Sequence, residues 1–193
     1  MEKDRVLAFS DGVIAVIITI MVLELRPPHE NTLEGLRAVT PVFLSYVLSF
    51  LYIAIYWNNH HHMMTTVERV NGGILWANMH LLFWLSLIPF TTAWIGEAGG
   101  GPWPLATYGF VLLMSGIAYY VLQTLLVREH GEGHLLKQAI GDDWKGKLSP
   151  VAYLVGIGLS FVTPAIAHAI YLGMALLWLV PDRRIEKAVA EES

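Results

Sequence analysis

The residues best suited to chemistry stand at the start of the chain. Arg5-Val6-Leu7-Ala8-Phe9-Ser10-Asp11 leads into an apolar stretch from Ile14 to Leu23 that only one hydroxyl, Thr19, interrupts. A carboxylate within such a helix costs about 3 kcal/mol on insertion scales if it meets lipid, so it faces protein or water and marks a functional position. At about 100° per residue, Phe9, Gly12, Val16, Ile20 and Leu23 share one face, with Thr19 at its edge. Ser10 and Asp11 point roughly the other way. One side of the helix is an apolar stripe; the other carries a carboxyl and a hydroxyl that need partners.

Partners come from the segments that reach the same depth. Tyr56-Trp57-Asn58-Asn59-His60-His61-His62 closes the second apolar segment, and Trp76, Asn78 and His80 open the third. Arg5, His60, His61, Asn78 and His80 are candidates to satisfy Ser10 and Asp11, with Trp57 donating its indole hydrogen. Such a cluster can clamp three helices together, sense protons through its histidines, or hold a metal. The metal reading is weak. Consecutive histidines on a helix splay by about 100°, ligand pairs on helices favour i, i+3 or i, i+4 spacing, and Asp11 is the only carboxylate of the nearby spans. No metal or cofactor is expected.

The elements that position these residues are membrane helices. Of 193 residues, 55% are apolar and 15% charged, with a mean hydropathy of +0.52, outside the range of soluble domains. Apolar segments at about 6–25, 39–57, 74–95, 105–127, 149–163 and 165–180 predict an all-α protein of six transmembrane helices in one membrane domain, the last two short and abutting at Pro164. A long bent final span would make five, but its apolar length exceeds what tilt absorbs. With six spans, ten of the twelve Lys and Arg fall on the side of the termini and only Arg26 and Arg37 on the other, which makes both termini cytoplasmic. Leu25-Arg26-Pro27-Pro28 is a poor cleavage site, so the first segment reads as a span and not a signal peptide. Without cysteine there are no disulfides or thiolate metal sites, and no basic stripe suggests nucleic acid. Pro89 and Pro164 are expected at bends, and the tryptophans near span ends act as interfacial anchors. The outer turn Gly96–Pro104 contains no carbonyl filter motif, so there is no pore loop of that type.

Arg5-x-x-x-Phe9-Ser10-Asp11 at the head of a first transmembrane helix, on a six-span chain without pore loops, resembles the transmembrane protein 175 family of potassium channels, and its bacterial members most. The resemblance implies a central pore lined by the first helix of each subunit and sealed by rings of large aliphatic side chains. Here the rings would be Val16, Ile20 and Leu23, with Thr19 the polar layer between them. Arg5, Phe9, Ser10 and Asp11 would hold that helix against its own bundle. Animal members carry two six-span repeats per chain and work as dimers, so a single Phe-Ser-Asp implies a homotetramer in the plasma membrane. The permeant ion would be potassium, with modest preference over sodium because dehydrating potassium costs less. Glu24, repeated four times, would concentrate monovalent cations at the outer mouth.

Two other readings compete. A proton-coupled carrier would use Asp11 with His80 as a relay, although such carriers show internal repeats and none is present. A membrane enzyme would use His60 to His62, but too few carboxylates or histidines face one site.

Overall fold

The computed structural model describes residues 3–131 and 143–179, and every regular element among them is a helix. In chain order these are α1 (Lys3–Leu23), α2 (Leu33–Thr65), α3 (Gly72–Ser86), α4 (Ile88–Glu97), α5 (Pro102–His130), α6 (Trp144–Ser160) and α7 (Pro164–Leu179). Val180 of the last expected span lies outside the described residues, as do Lys137, Arg183, Arg184 and Lys187 of the charge asymmetry.

Local chemistry sets the helix ends. The Thr32 hydroxyl accepts from the Gly35 N–H at 3.1 Å, the Asn71 carboxamide from Ile74 at 3.0 Å, and the Asp143 carboxylate from Gly146 at 3.0 Å. Each supplies an acceptor that the first helical turn lacks. Pro102 and Pro164 open α5 and α7, where a missing amide hydrogen costs nothing. Between α4 and α5 the chain reverses through Gly99 at φ 60° and Gly100 at φ 76°, a left-handed pair that side chains beyond Cα would strain.

Four stretches are long and apolar enough to cross a bilayer: α1, α2, α3 with α4 (Gly72–Glu97), and α5. The third apolar segment is not one straight helix. It breaks at Leu87, with Pro89 in the first turn of α4, so the bend falls where the proline removes a donor. The second is longer than its apolar core suggests: α2 has 33 residues and runs on through His62 to Thr65. At 1.5 Å per residue it rises about 50 Å, beyond the roughly 30 Å of hydrocarbon. α6 and α7 have 17 and 16 residues, turn at residues 161–163, and pack against each other.

α1 packs on α2, α3 and α4, while α5 joins α3 and α4 to α6 and α7. The joint is aromatic. The Tyr52 hydroxyl of α2 donates to the Tyr171 carbonyl of α7 at 2.7 Å, and Ser49 and Tyr108 hydroxyls meet at 3.1 Å. Thr92 of α4 completes that group, 2.6 Å from the Ser49 oxygen. The Tyr171 ring is fully buried and lies against the glycine backbones of α5 at Gly109 and α6 at Gly156. A methyl at either position would overlap the ring. We expect Gly156→Ala to lower the thermal midpoint of the detergent-solubilised protein through an overpacking cost of about 1–3 kcal/mol. Gly158→Ala, whose methyl would meet nothing within 4 Å, should leave the midpoint unchanged.

Candidate functional site

The two sides of α1 have opposite environments. Val6, Ser10, Ile14, Ile17 and Met21 are buried against the bundle at a helical spacing of three and four. Phe9, Val16, Ile20 and Leu23 are 53%, 54%, 45% and 76% exposed, and Gly12, Ala15 and Thr19 are exposed with them. The Thr19 hydroxyl donates to the Val16 carbonyl at 3.0 Å, so its oxygen keeps lone pairs available outward.

The buried side is held by a directional chain. Ser10 Oγ donates to the Val6 carbonyl at 2.8 Å and accepts from Asn78 Nδ2 at 2.9 Å. Asn78 Oδ1 lies 2.8 Å from His60 Nε2. Since the carboxamide oxygen only accepts, the His60 proton resides on Nε2. All three side chains are buried, and they tie α1, α3 and α2 together. The His60 Nδ1 is buried with no partner among the described residues.

Asp11 makes a separate tie. Its Oδ1 accepts from Trp57 Nε1 at 2.9 Å, and the His61 ring stacks on Trp57 at a centroid distance of 5.7 Å. Of the candidate partners, then, the structure brings Asn78 and His60 to Ser10, and Trp57 to Asp11. It leaves out three. His61 reaches Asp11 only through its stack on Trp57, Arg5 is exposed on the first turn of α1, and His80 takes part in neither tie. Its Nε2 accepts from Trp84 Nε1 at 2.8 Å on the exposed side of α3. Positions 78 and 80 are about 200° apart on a helix, so Asn78 and His80 could not both point at α1. The Asp11 and His80 relay is therefore not assembled within the chain.

Because α2 is still helical at His60, His61 and His62, their rings diverge; those of His61 and His62 lie 6.0 Å apart at 71°. Among the described residues no group of three or more His, Asp or Glu could hold a metal ion. At the C-terminal end of α1, Glu24 follows the last turn and, with Glu97, edges a cavity of about 560 Å³ walled by Leu36, Val39 and Phe43 of α2. The sequence reading did not single out the Ser49, Tyr108 and Thr92 group. Its only signal was hydroxyls within apolar helices.

Residues 5–89 match the model of the family described as endosomal/lysosomal potassium channel TMEM175, a span that holds α1, α2, α3 and every residue of both ties. A potassium channel of a Chryseobacterium species is 52% identical over 191 residues, covering 99% of this chain and 100% of that protein. The chain belongs to the TMEM175 family of potassium channels. A potassium channel of Streptomyces collinus is 30% identical over 191 residues, covering 92% of this chain and 91% of that one. The crystal structure of a lysosomal potassium-selective channel TMEM175 homolog from Chamaesiphon minutus superposes with a TM-score of 0.81 at 26% identity, over 93% of this chain and 97% of that one. The fold of this TMEM175 member is thus shared along nearly its whole length, α6 and α7 included. The family and the relatives the chain resembles are described as ion channels, not enzymes.

The two ties differ in what their loss exposes. Asn78→Ala removes the shared partner and leaves both the Ser10 oxygen and the His60 N–H unsatisfied in a buried place, at about 1–3 kcal/mol for each such group. Trp57→Phe keeps the ring and strips one donor from the half-exposed Asp11. We expect the thermal midpoint of the purified protein to fall clearly more for Asn78→Ala than for Trp57→Phe. Equal losses would show that the Asn78 chain is not what holds α1.

Proposed function

We propose that the chain assembles as a homotetramer in the plasma membrane and conducts potassium through a central pore that the α1 helices line. Each subunit would cross six times with both termini cytoplasmic, α6 and α7 forming a short final hairpin. One observation carries the reading: the face of α1 from Phe9 to Leu23 has no cover among the described residues of its own chain, while the opposite face is sealed by apolar contacts and the Ser10 chain. A single such helix cannot enclose a pore, and copies related by symmetry can.

The gate follows from the side chains. An ion entering a ring of Val16, Ile20 or Leu23 sheds water and receives no ligand in return, so a narrow ring dewets and blocks conduction. Opening widens the ring. Gly12 and Ala15 on the same side let backbones approach and slide. The Thr19 oxygens form the one polar layer in this stripe, and partial dehydration there favours potassium modestly over sodium. Signature residues Ser10 and Asp11 act from behind, through Asn78 and Trp57, and do not meet the ion. Orientation rests on Lys3, Arg5, Arg69, Arg128, Lys145 and Lys147 on the inner side against Arg26 and Arg37 on the outer.

The test is the reversal potential of the purified protein in a planar bilayer, with potassium on one side and sodium on the other. The expected current reverses toward the potassium equilibrium value, and Thr19→Ala or Val16→Ala shifts its selectivity or its open fraction. Absence of current, with flux in liposomes driven by a pH gradient and abolished by Asp11→Asn, would assign the chain to proton-coupled carriage instead. Glu24→Gln should reduce conductance at low salt and matter little at high salt, since a solvated mouth charge is screened. Single-channel recordings at the two ionic strengths check this.

A further inference from the structure

A second histidine group lies away from the α1 ties, where the last turn of α5 meets the connection between α2 and α3. His130 Nδ1 is 2.9 Å from the Leu126 carbonyl oxygen, and only an N–H can bond there. The proton is therefore on Nδ1, and Nε2 presents a lone pair. That lone pair accepts two backbone hydrogens, from Glu68 at 3.0 Å and from Arg69 at 3.1 Å. A neutral imidazole of this one tautomer satisfies all three groups. A protonated ring carries hydrogen on Nε2 as well and turns it toward two donors, so both bonds are lost together.

The neighbouring contact strengthens the same junction. Glu129 Oε2 accepts from Asn71 Nδ2 at 2.6 Å, and the Asn71 oxygen caps α3 by accepting from Ile74 at 3.0 Å. On the other side of the connection, the Lys3 ammonium reaches the Thr65 carbonyl at 3.4 Å. The segment so held joins the ends of the two helices that carry His60 and Asn78.

We propose that His130 is an acid-released latch: in its neutral form it fastens the α2–α3 connection to α5 through two backbone hydrogen bonds, and protonation of its Nε2 lets that connection go. Release would reach α1 through α2, α3 and Lys3, and in that consequence alone the proposal rests on the channel reading. Among the described residues, charged groups on the elements meeting there include Glu68 and Arg69 of the connection, Arg128 and Glu129 of α5, Lys3 of α1, and Asp143, Lys145 and Lys147 at the start of α6. None of them accepts from the Glu68 and Arg69 amides, so only His130 loses these two bonds by gaining a proton. His62 at the end of α2 is a second imidazole beside this connection, and the variants below separate the two.

The test is hydrogen exchange of residues 66–71, read by mass spectrometry on the full chain in detergent micelles at about pH 8 and about pH 5.5, spanning the usual histidine range. Rates are corrected for the intrinsic pH dependence of exchange. The wild type should lose protection at the acid pH by about tenfold or more, the factor expected from losing two hydrogen bonds. His130→Gln places a non-titrating acceptor oxygen near the Nε2 position and should stay protected at both values. His130→Ala should be unprotected at both. Equal wild-type protection at the two pH values overturns the proposal, and so does an acid response that survives in His130→Gln, which would assign it to His62 or a carboxylate. The measurement needs no current, so its failure is distinct from failure of the channel reading.

Discussion

The Ser10 hydroxyl is the point on which the orientation of α1 depends. It gives its hydrogen to Val6 and takes one from Asn78, and Asn78 in turn takes one from His60. In hydrocarbon a polar group has no water to fall back on, so this chain resists any rotation of the helix that would break it. Turning α1 by one residue would carry Ser10 off Asn78 and swing Asp11 away from Trp57. With that rotation fixed, Ile14, Ile17 and Met21 must pack inward, and Val16, Ile20 and Leu23 must face out. The exposed stripe is a consequence of the buried contact behind it.

The remainder of the bundle provides a rigid backing for this helix. Apolar packing alone distinguishes poorly between faces when lipid tails are as apolar as leucine, and directional polar contacts supply the difference. The hydroxyls of Tyr52, Tyr108, Ser49 and Thr92 do so between α2, α4, α5 and α7. Gly109 and Gly156 admit the Tyr171 ring where any side chain would exclude it. α2 takes part in both groups, with Ser49 and Tyr52 in one and Trp57 and His60 in the other, so a single helix joins them.

That helix also runs past its apolar core, and the α2–α3 connection that follows is exposed at Glu68, Arg69 and Asn71, so bonds to its backbone amides can exchange with water. His130, Glu129 and Asn71 meet there. The contacts that hold α1 and those that hold the connection thus differ in kind: the Ser10 chain is buried, while the bonds at the connection are exposed and run through an imidazole.

Much of this was legible in the residues themselves. Hydropathy marked the long apolar stretches that became α1, α2, α3 with α4, and α5, because crossing lipid demands a run of apolar residues whatever the neighbours are. The helical period separated the Val16 and Ile20 side of α1 from Ser10 and Asp11. Pro89 and Pro164 marked breaks through their missing amide hydrogen, and Arg5, Phe9, Ser10 and Asp11 carried the family. The sequence also narrowed the partners of Ser10 and Asp11 to a few groups of equal depth, but could not choose among Arg5, His60, His61, Asn78 and His80. That choice depends on which side of α3 meets α1, and α3 has apolar residues on every side, with Asn78 and His80 about 200° apart, so its own pattern favours no face. The continuation of α2 past Trp57 through three histidines was likewise a matter of packing, since hydropathy ends where the helix does not. His130 could not be read at all, because its partners are backbone amides some sixty residues away. The sequence by itself determined where helices run and which side chains need partners; tertiary packing decided which partners they find, because a hydrogen bond requires two groups at one place and composition places neither.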